Sequence, residues 1–98
     1  MGISTHVLDT GLGEPARGVR VELHRGTTLV ASHETDDDGR VAELAGGPLE
    51  PGSYRLVFHP PSAFFRRVEL ELAIDDAHRH YHVPLLVSPY GCASYRGS

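Results

Sequence analysis

The sequence predicts an all-β protein, a sandwich of antiparallel sheets built from seven or eight short strands. Apolar and polar residues alternate one by one along several stretches, which is typical of strands with one buried face and one solvated face. Turns rich in glycine, proline and aspartate separate these stretches. No segment carries a helical pattern over three turns, so no long helix is expected.

The clearest alternation lies in three segments, 18–25, 53–59 and 66–74. The last of these places Val68, Leu70 and Leu72 on one face and charged residues on the other. Further strands are predicted at 3–8, 28–34, 40–44, 79–87 and 92–97. The turns between strands are predicted at 11–15, 36–39, 46–48, 50–52 and 88–91.

Composition limits the classes of protein that this chain can represent. Its 98 residues are expected to form one domain, 1–98, with a net charge of −4, which argues against a nucleic-acid surface. The beginning of the sequence lacks a secretory pattern and no apolar run reaches membrane-spanning length, so we expect a cytoplasmic protein without a membrane partner. Cys92 is the only cysteine and is expected to be a packing residue.

Two residues early in the chain are candidates for chemistry. His6 lies on the first predicted strand, and Arg40 directly follows the acidic turn 36–39. A histidine titrates near neutral pH and an arginine presents a planar fork to anions. Each residue has an ordinary alternative, because a lone strand histidine is often structural and Arg40 can simply screen the neighbouring carboxylates.

The segment His-Arg-His-Tyr-His, 78–82, offers a third candidate. In an extended strand, His78, His80 and His82 share one face, and such a row can bind zinc with one position left open for water. The alternative is that His78 and His80 are solvated and that His82 alone has a function. A hydrolase without a serine or cysteine nucleophile needs a base and cations, which His6, His82, Arg40 and Arg96 could supply. Spacing alone does not bring these residues together.

Three stretches, taken together, resemble the transthyretin-related 5-hydroxyisourate hydrolases of purine catabolism. They are HVLDTGLGEPARGVRVEL at 6–23, TDDDGRV at 35–41 and HYHVPLLVSPYGCASYRGS at 80–98. The tetrapeptide Tyr-Arg-Gly-Ser that ends the last stretch is the most specific mark of the resemblance. It distinguishes the enzymes from the hormone-carrying transthyretins.

The resemblance implies a transthyretin-like sandwich that assembles as a homotetramer, a dimer of dimers with active sites in the channel between the dimers. It implies hydrolysis of 5-hydroxyisourate in urate degradation, without a metal or an organic cofactor. The implied catalytic residues are His6, Arg40, His82 and Ser98. Those implied to bind substrate are His6, Arg40, His82, Tyr95, Arg96, Gly97 and Ser98.

Within that set, a histidine is expected to deprotonate water, with His6 as the first choice and His82 as its partner. Arg40 and Arg96 are expected to hold the anionic ring and to stabilise the developing oxyanion. Two alternatives from other classes stay open at this point, a transthyretin-like carrier without enzymatic activity and a histidine-ligated zinc protein.

The sequence departs from the family pattern in two places. Members of the family usually carry a short helix between the strands predicted here at 53–59 and 66–74, where this chain has only the proline-containing segment 59–63. We therefore expect the helix to be deleted. Cys92 and Ala93 stand where an aromatic and a hydroxyl residue are more usual, and local repacking is expected there.

Overall fold

Two β-sheets pack face to face in the computed structural model, which describes residues 2–98. Within these residues every regular element is a strand. In chain order the strands are β1 (Gly2–Asp9), β2 (Glu14–Pro15), β3 (Arg20–Arg25), β4 (Thr28–Glu34), β5 (Arg40–Val41), β6 (Gly52–His59), β7 (Val68–Ile74), β8 (His80–His82), β9 (Leu85–Ser88) and β10 (Gly91–Ser94).

The first sheet contains four antiparallel strands in the order β4-β3-β6-β7. Its alternating residues divide between the two faces as the sequence pattern predicts. Val21 and Leu23 of β3 lie opposite Phe58 and Leu56 of β6, and all four side chains are buried. The sheet therefore covers one side of a single hydrophobic core.

The second sheet is organised around β1. Strands β2 and β5 pair with β1 in the antiparallel sense, and β8 and β9 pair with it in the parallel sense. Strand β10 then pairs with β9. The core between the two sheets consists of Ile3, Val7, Ala16, Val19, Val21, Leu23, Val41, Leu44, Leu49, Tyr54, Leu56, Phe58, Ile74, Tyr81, Val83, Leu85 and Val87.

The parallel pairs correct the expectation of purely antiparallel sheets. Antiparallel neighbours are usually joined by hairpins, whereas parallel neighbours need a long connection. Here the chain completes the whole first sheet between β1 and β8, so the direction of β8 is not set by a hairpin. Local alternation in the sequence reports which face is buried and carries no information on strand direction.

The number of strands also differs, with ten in residues 2–98 where seven or eight were predicted. The predicted strand 79–87 is divided into β8 and β9 at Val83 and Pro84, because proline has no N–H to donate to the neighbouring strand. Strands at 40–44 and 92–97 are shorter than predicted, and the two-residue β2 lies at the end of the predicted turn 11–15.

The connection between β6 and β7 confirms the predicted loss of the helix. Residues 60–67 contain no helix. Ser62 instead organises a tight turn, because its hydroxyl oxygen accepts hydrogen bonds from the backbone N–H groups of Phe64 and Phe65 at 3.1 and 2.9 Å. Two prolines precede this turn and restrict the backbone before it.

A glycine in the acidic turn brings the start of β5 against β1. Gly39 has a φ of 75°, and its carbonyl oxygen accepts a hydrogen bond from the N–H of Val7 at 2.7 Å. A Cβ atom at this position would lie 2.5 Å from the carbonyl oxygen of Val7. Only glycine therefore allows the turn to approach β1 this closely, and the next residue is Arg40.

We expect Gly39→Ala to destabilise the fold more than Gly18→Ala, a matched control. Gly18 has a similar φ of 71°, but a Cβ there would meet nothing within 4 Å. Alanine in the left-handed region costs about 1 kcal/mol at either position. Overpacking against the Val7 carbonyl raises the loss at Gly39 to about 2–4 kcal/mol. Urea unfolding of the two variants measures the difference, and equal losses would contradict the close approach.

Candidate functional site

The registers of three strands gather the candidate residues on one face of the second sheet. Ser4 and His6 of β1 point to the same side because they are two residues apart. His6 is the partner of Arg40 on β5, and Ser4 is the partner of His82 on β8. Side chains at directly opposed positions are neighbours. His6, Arg40 and His82, predicted separately from three stretches of sequence, therefore lie together.

The acidic turn holds Arg40 at this position through its backbone. The Asp36 carboxylate accepts hydrogen bonds from the N–H groups of Asp38 and Arg40, each at 2.9 Å. The N–H of Asp36 in turn donates to the carbonyl oxygen of Arg40 at 2.9 Å. These contacts fix the backbone and leave the Arg40 side chain exposed. The turn thus positions the exposed guanidinium group of Arg40 beside His6.

His6 presents a ring nitrogen that has no protein partner. Its Nε2 is buried, yet the described residues offer this atom no hydrogen bond. A buried polar atom without a partner is uncommon, because leaving it unsatisfied costs free energy. At the edge of a cluster with Arg40 and His82, such an atom is suited to bind a water molecule or a polar ligand.

His82 is held through its other ring nitrogen by Ser4. The Ser4 hydroxyl oxygen lies 2.8 Å from His82 Nδ1 and 2.7 Å from His80 Nε2. Ser4 is 9% exposed, whereas His80 is exposed to solvent. The bond at Nδ1 fixes the imidazole and leaves Nε2 as the nitrogen available for chemistry.

The surroundings of His82 lower the pKa of its imidazole below the ordinary value. Partial burial is the main cause, because it disfavours the charged ring, and the positive charges of Arg40, His6 and His80 act in the same direction. His82 therefore remains neutral to lower pH than a solvated histidine. A neutral imidazole at neutral pH can accept a proton.

The end of the chain packs against His82 through Gly97. The Gly97 N–H donates a hydrogen bond to the His82 carbonyl oxygen at 2.7 Å. A Cβ atom on Gly97 would lie 2.6 Å from the imidazole Cδ2 of His82. The absence of a side chain therefore leaves room for the imidazole ring beside the terminal segment. Gly97 helps to orient His82.

Arg96 lies elsewhere. Its guanidinium group stacks over the Tyr81 ring, 4.6 Å from the ring centroid. The pKa of the nearby Asp75 carboxyl group is lowered, chiefly by a hydrogen bond from Tyr81 and to a smaller extent by the charge of Arg96. Tyr81 and His82 are adjacent on β8 and point to opposite faces. Arg96 thus faces a cavity of about 350 Å³ that contains neither His6 nor His82.

Tyr95 and Ser98 complete the predicted set. Tyr95 is exposed and lines the same cavity as Arg96, and Ser98 is also exposed. Neither side chain makes a hydrogen bond to His6, Arg40 or His82 within residues 2–98. The structure therefore brings together three of the predicted side chains and the backbone of Gly97.

The row of three histidines is interrupted in the structure. His78 lies in an exposed turn before β8, where its N–H is bonded to the Asp76 carboxylate, whereas His80 and His82 share the face of Ser4. In residues 2–98 no group of three histidine, cysteine, aspartate or glutamate side chains could hold a metal ion. The zinc alternative therefore lacks the ligand set that it requires.

Cys92 is half-buried and packs against the hydrophobic core, as predicted for a packing residue. Burial raises the pKa of its thiol, which disfavours the reactive thiolate. The important residue that the sequence reasoning missed is Ser4. Its position two residues before His6 on an alternating strand was the available signal, because it places both side chains on one face.

We expect Arg40→Gln to raise the pKa of His82. Removing the positive charge relieves part of the repulsion that disfavours the imidazolium ion, although burial still keeps the pKa low. Protonation of His82 then begins at higher pH during an acid titration. Histidine NMR titration measures the shift. Arg17→Gln, which removes an exposed arginine near Asp37, is the control, and an equal shift in both variants would contradict a local effect of Arg40.

We expect Gly97→Ala to displace the His82 ring without unfolding the protein. The added methyl group meets the imidazole, whereas the φ of Gly97 lies outside the left-handed region. Gly47→Ala is the control, because a Cβ there meets nothing within 4 Å. Side-chain NMR signals of His82 should shift in the first variant only, with similar melting temperatures in both. Unchanged His82 signals in Gly97→Ala would refute the packing argument.

Comparisons with known proteins identify the family of this chain. The profile of the HIUase/Transthyretin family matches residues 3–97. The protein "5-hydroxyisourate hydrolase 2" of Rhizobium meliloti is 43% identical over 114 aligned positions that cover 98% of this chain and 95% of the relative. "5-hydroxyisourate hydrolase" of Pseudomonas aeruginosa is 40% identical, covering 98% of this chain and 90% of the relative.

Solved structures show the same fold. The 5-hydroxyisourate hydrolase of Klebsiella pneumoniae superposes with a TM-score of 0.89, 34% identity and complete coverage of both chains. Sea bream transthyretin, at 24% identity, superposes with a TM-score of 0.84 over 99% of this chain and 95% of its own, and this match shows the fold alone. No helix in residues 2–98 is long and apolar enough to cross a membrane. The chain belongs to the HIUase/Transthyretin family.

Proposed function

We propose that this protein is a 5-hydroxyisourate hydrolase that opens its substrate to 2-oxo-4-hydroxy-4-carboxy-5-ureidoimidazoline in urate degradation. The observation that carries the proposal is the convergence of His6, Arg40 and His82 on one sheet face. Relatives of about 40% identity over almost the whole chain bear the name of this enzyme. The face supplies a base and a cation, the two components that hydrolysis of an anionic cyclic amide requires.

The proposed base is His82. Its Nδ1 is bonded to Ser4, so its orientation is fixed, and its lowered pKa keeps it unprotonated at neutral pH. His82 Nε2 takes a proton from a water molecule that attacks the ring carbonyl. His6, the first choice from the sequence, is then the partner that holds the water or the substrate through its unpaired Nε2.

The proposed electrophilic group is Arg40. Its exposed guanidinium beside His6 can bind the anionic ring and stabilise the oxyanion formed during attack. A single well-placed donor of this kind contributes about 3–4 kcal/mol to the transition state. The same charge helps to keep His82 neutral, so Arg40 would both bind the substrate and lower the pKa of the base.

The terminal residues Tyr95, Arg96 and Ser98 are proposed to complete the substrate pocket. For Arg96 this role requires its side chain to leave the Tyr81 ring, where a cation–π contact of about 0.5–1 kcal/mol holds an exposed arginine. That is a small barrier to rearrangement when an anionic ligand is present. Gly97 needs no movement, because its backbone is already paired with His82.

A homotetramer is part of the proposal. His6 and His82 are half-buried and Arg40 is exposed, so the face is open in the single chain. An enclosed site strengthens electrostatic interactions by excluding water, and a second copy can provide that enclosure. β7 and β10 are sheet edges, with backbone groups free to pair with another chain.

The proposed mechanism contains no step that needs a metal or an organic cofactor. A cytoplasmic location stays a prediction.

We expect the purified protein to accelerate the decay of freshly generated 5-hydroxyisourate, followed by ultraviolet absorbance. His6→Ala and His82→Ala should each lower turnover by about 10²–10⁴-fold. His78→Ala is the control, because that side chain lies in an exposed turn away from the face, and it should retain normal turnover. A carrier without activity would bind purine-like anions and leave the decay rate unchanged, which would overturn the proposed function.

We expect light scattering to give the mass of four chains at concentrations where the enzyme is active. Ala73→Arg, on β7, should weaken assembly, because this exposed residue lies on an edge strand that the proposal pairs with another chain. Val30→Arg, on the edge strand β4 of the same sheet, tests whether any charged edge has the same effect. A fully active monomer would contradict the tetramer and the need for enclosure.

A further inference from the structure

A single serine connects two histidines of different exposure. The Ser4 hydroxyl oxygen lies 2.7 Å from His80 Nε2 and 2.8 Å from His82 Nδ1. A hydroxyl group has one proton, so Ser4 can donate to one ring and accept from the other. The parallel register of β1 and β8, which pairs Ser4 with His82, fixes this arrangement.

The three groups form a path from the site to the solvent. His82 is half-buried beside His6 and Arg40, Ser4 is 9% exposed, and His80 is exposed. Histidine exchanges protons readily near neutral pH, and a hydroxyl group can pass a proton between two partners. Hydrogen-bonded chains of this kind also polarise one another.

We propose that Ser4 and His80 form a proton relay that holds His82 with Nε2 unprotonated in the resting site and stores, on the exposed His80 ring, the proton equivalent that His82 takes from the attacking water. The inference rests on the proposed function. Ser4 and His80 are positioning and relay residues that act through His82. In the resting arrangement His82 Nδ1–H donates to Ser4, and the Ser4 hydroxyl donates to His80 Nε2.

The hydrolysis requires a proton to be held between two steps. The attacking water brings two hydrogens, and His82 Nε2 takes one of them as the water oxygen attacks the carbonyl carbon. That proton passes to the nitrogen when its bond to carbon breaks. The other hydrogen stays with the new carboxyl group, which is ionised at neutral pH.

The relay holds the proton in balanced steps. As His82 Nε2 accepts the proton, the Nδ1 proton moves to the Ser4 oxygen and the Ser4 hydroxyl proton moves to His80 Nε2, so the positive charge lies on the exposed His80 ring. When the C–N bond breaks, the same transfers run in reverse and His82 Nε2 gives its proton to the leaving nitrogen. The starting tautomers are restored, and no group is consumed.

Steady-state kinetics in dilute buffer test the relay. His80→Gln keeps a polar side chain but cannot carry a proton, so kcat should fall about tenfold with KM nearly unchanged, and added imidazole buffer should restore it. Ser4→Ala should show the same loss, and Ser4→Thr, which keeps the hydroxyl group, should retain most of the activity. His78→Gln is the matched control and should behave as wild type in both buffers.

Nitrogen-15 NMR of the histidine rings provides a readout that does not depend on activity. Wild type should show His82 protonated at Nδ1, and Ser4→Ala should show a mixture of tautomers. Normal kcat for His80→Gln in dilute buffer would overturn the relay while wild-type hydrolysis still supports the proposed function. Failure of wild type to hydrolyse 5-hydroxyisourate would overturn the function, and the tautomer of His82 would still report whether Ser4 orients that ring.

Discussion

The pairing of β1 with two short strands is the constraint on which the candidate site depends. β5 and β8 contribute only two and three residues, and neither could hold a position alone. β1 anchors both of them while its alternate residues Ile3, Thr5 and Val7 are buried. Because side chains alternate, burying these residues forces Ser4 and His6 to the opposite face. A shift of one residue in either pairing would move Arg40 or His82 into the core, so core packing itself protects the geometry of the site.

Two glycines make the close contacts on which this geometry depends, and for different reasons. Gly39 combines a left-handed backbone with a close approach to β1, so its place in the turn is a requirement of the fold. Gly97 has no such backbone requirement, and what it provides is space for the His82 ring. The first glycine therefore matters mainly for the stability of the fold, and the second for the position of the His82 ring. The difference shows how a terminal segment with few buried side chains can still contact a residue of the candidate site.

Much of this organisation could be predicted from the sequence, but its geometry could not. Alternation identified the long strands, including 53–59 and 66–74, because burial of one face leaves a direct pattern in the residues. It could not reveal the parallel direction of β8 or the interruption at Pro84, which depend on partners distant in the chain. The resemblance to a family indicated His6, Arg40 and His82. It gave no sign of Ser4, whose role depends on the register with β8, or of the position of Arg96 over Tyr81.

In the proposed mechanism, the electrostatics of the face connect substrate binding with the strength of the base. In the free protein the charges of Arg40 and neighbouring histidines add to burial in lowering the pKa of His82. An anion bound to Arg40 supplies the opposite charge, and a nearby negative charge favours the protonated form of histidine. Binding of an anionic ring therefore makes His82 a stronger base than it is in the free protein. In the proposed mechanism, the imidazole is neutral while the site is empty and gains affinity for a proton when the substrate and the attacking water are bound. In that mechanism Arg40 couples substrate binding to the strength of the base through its charge.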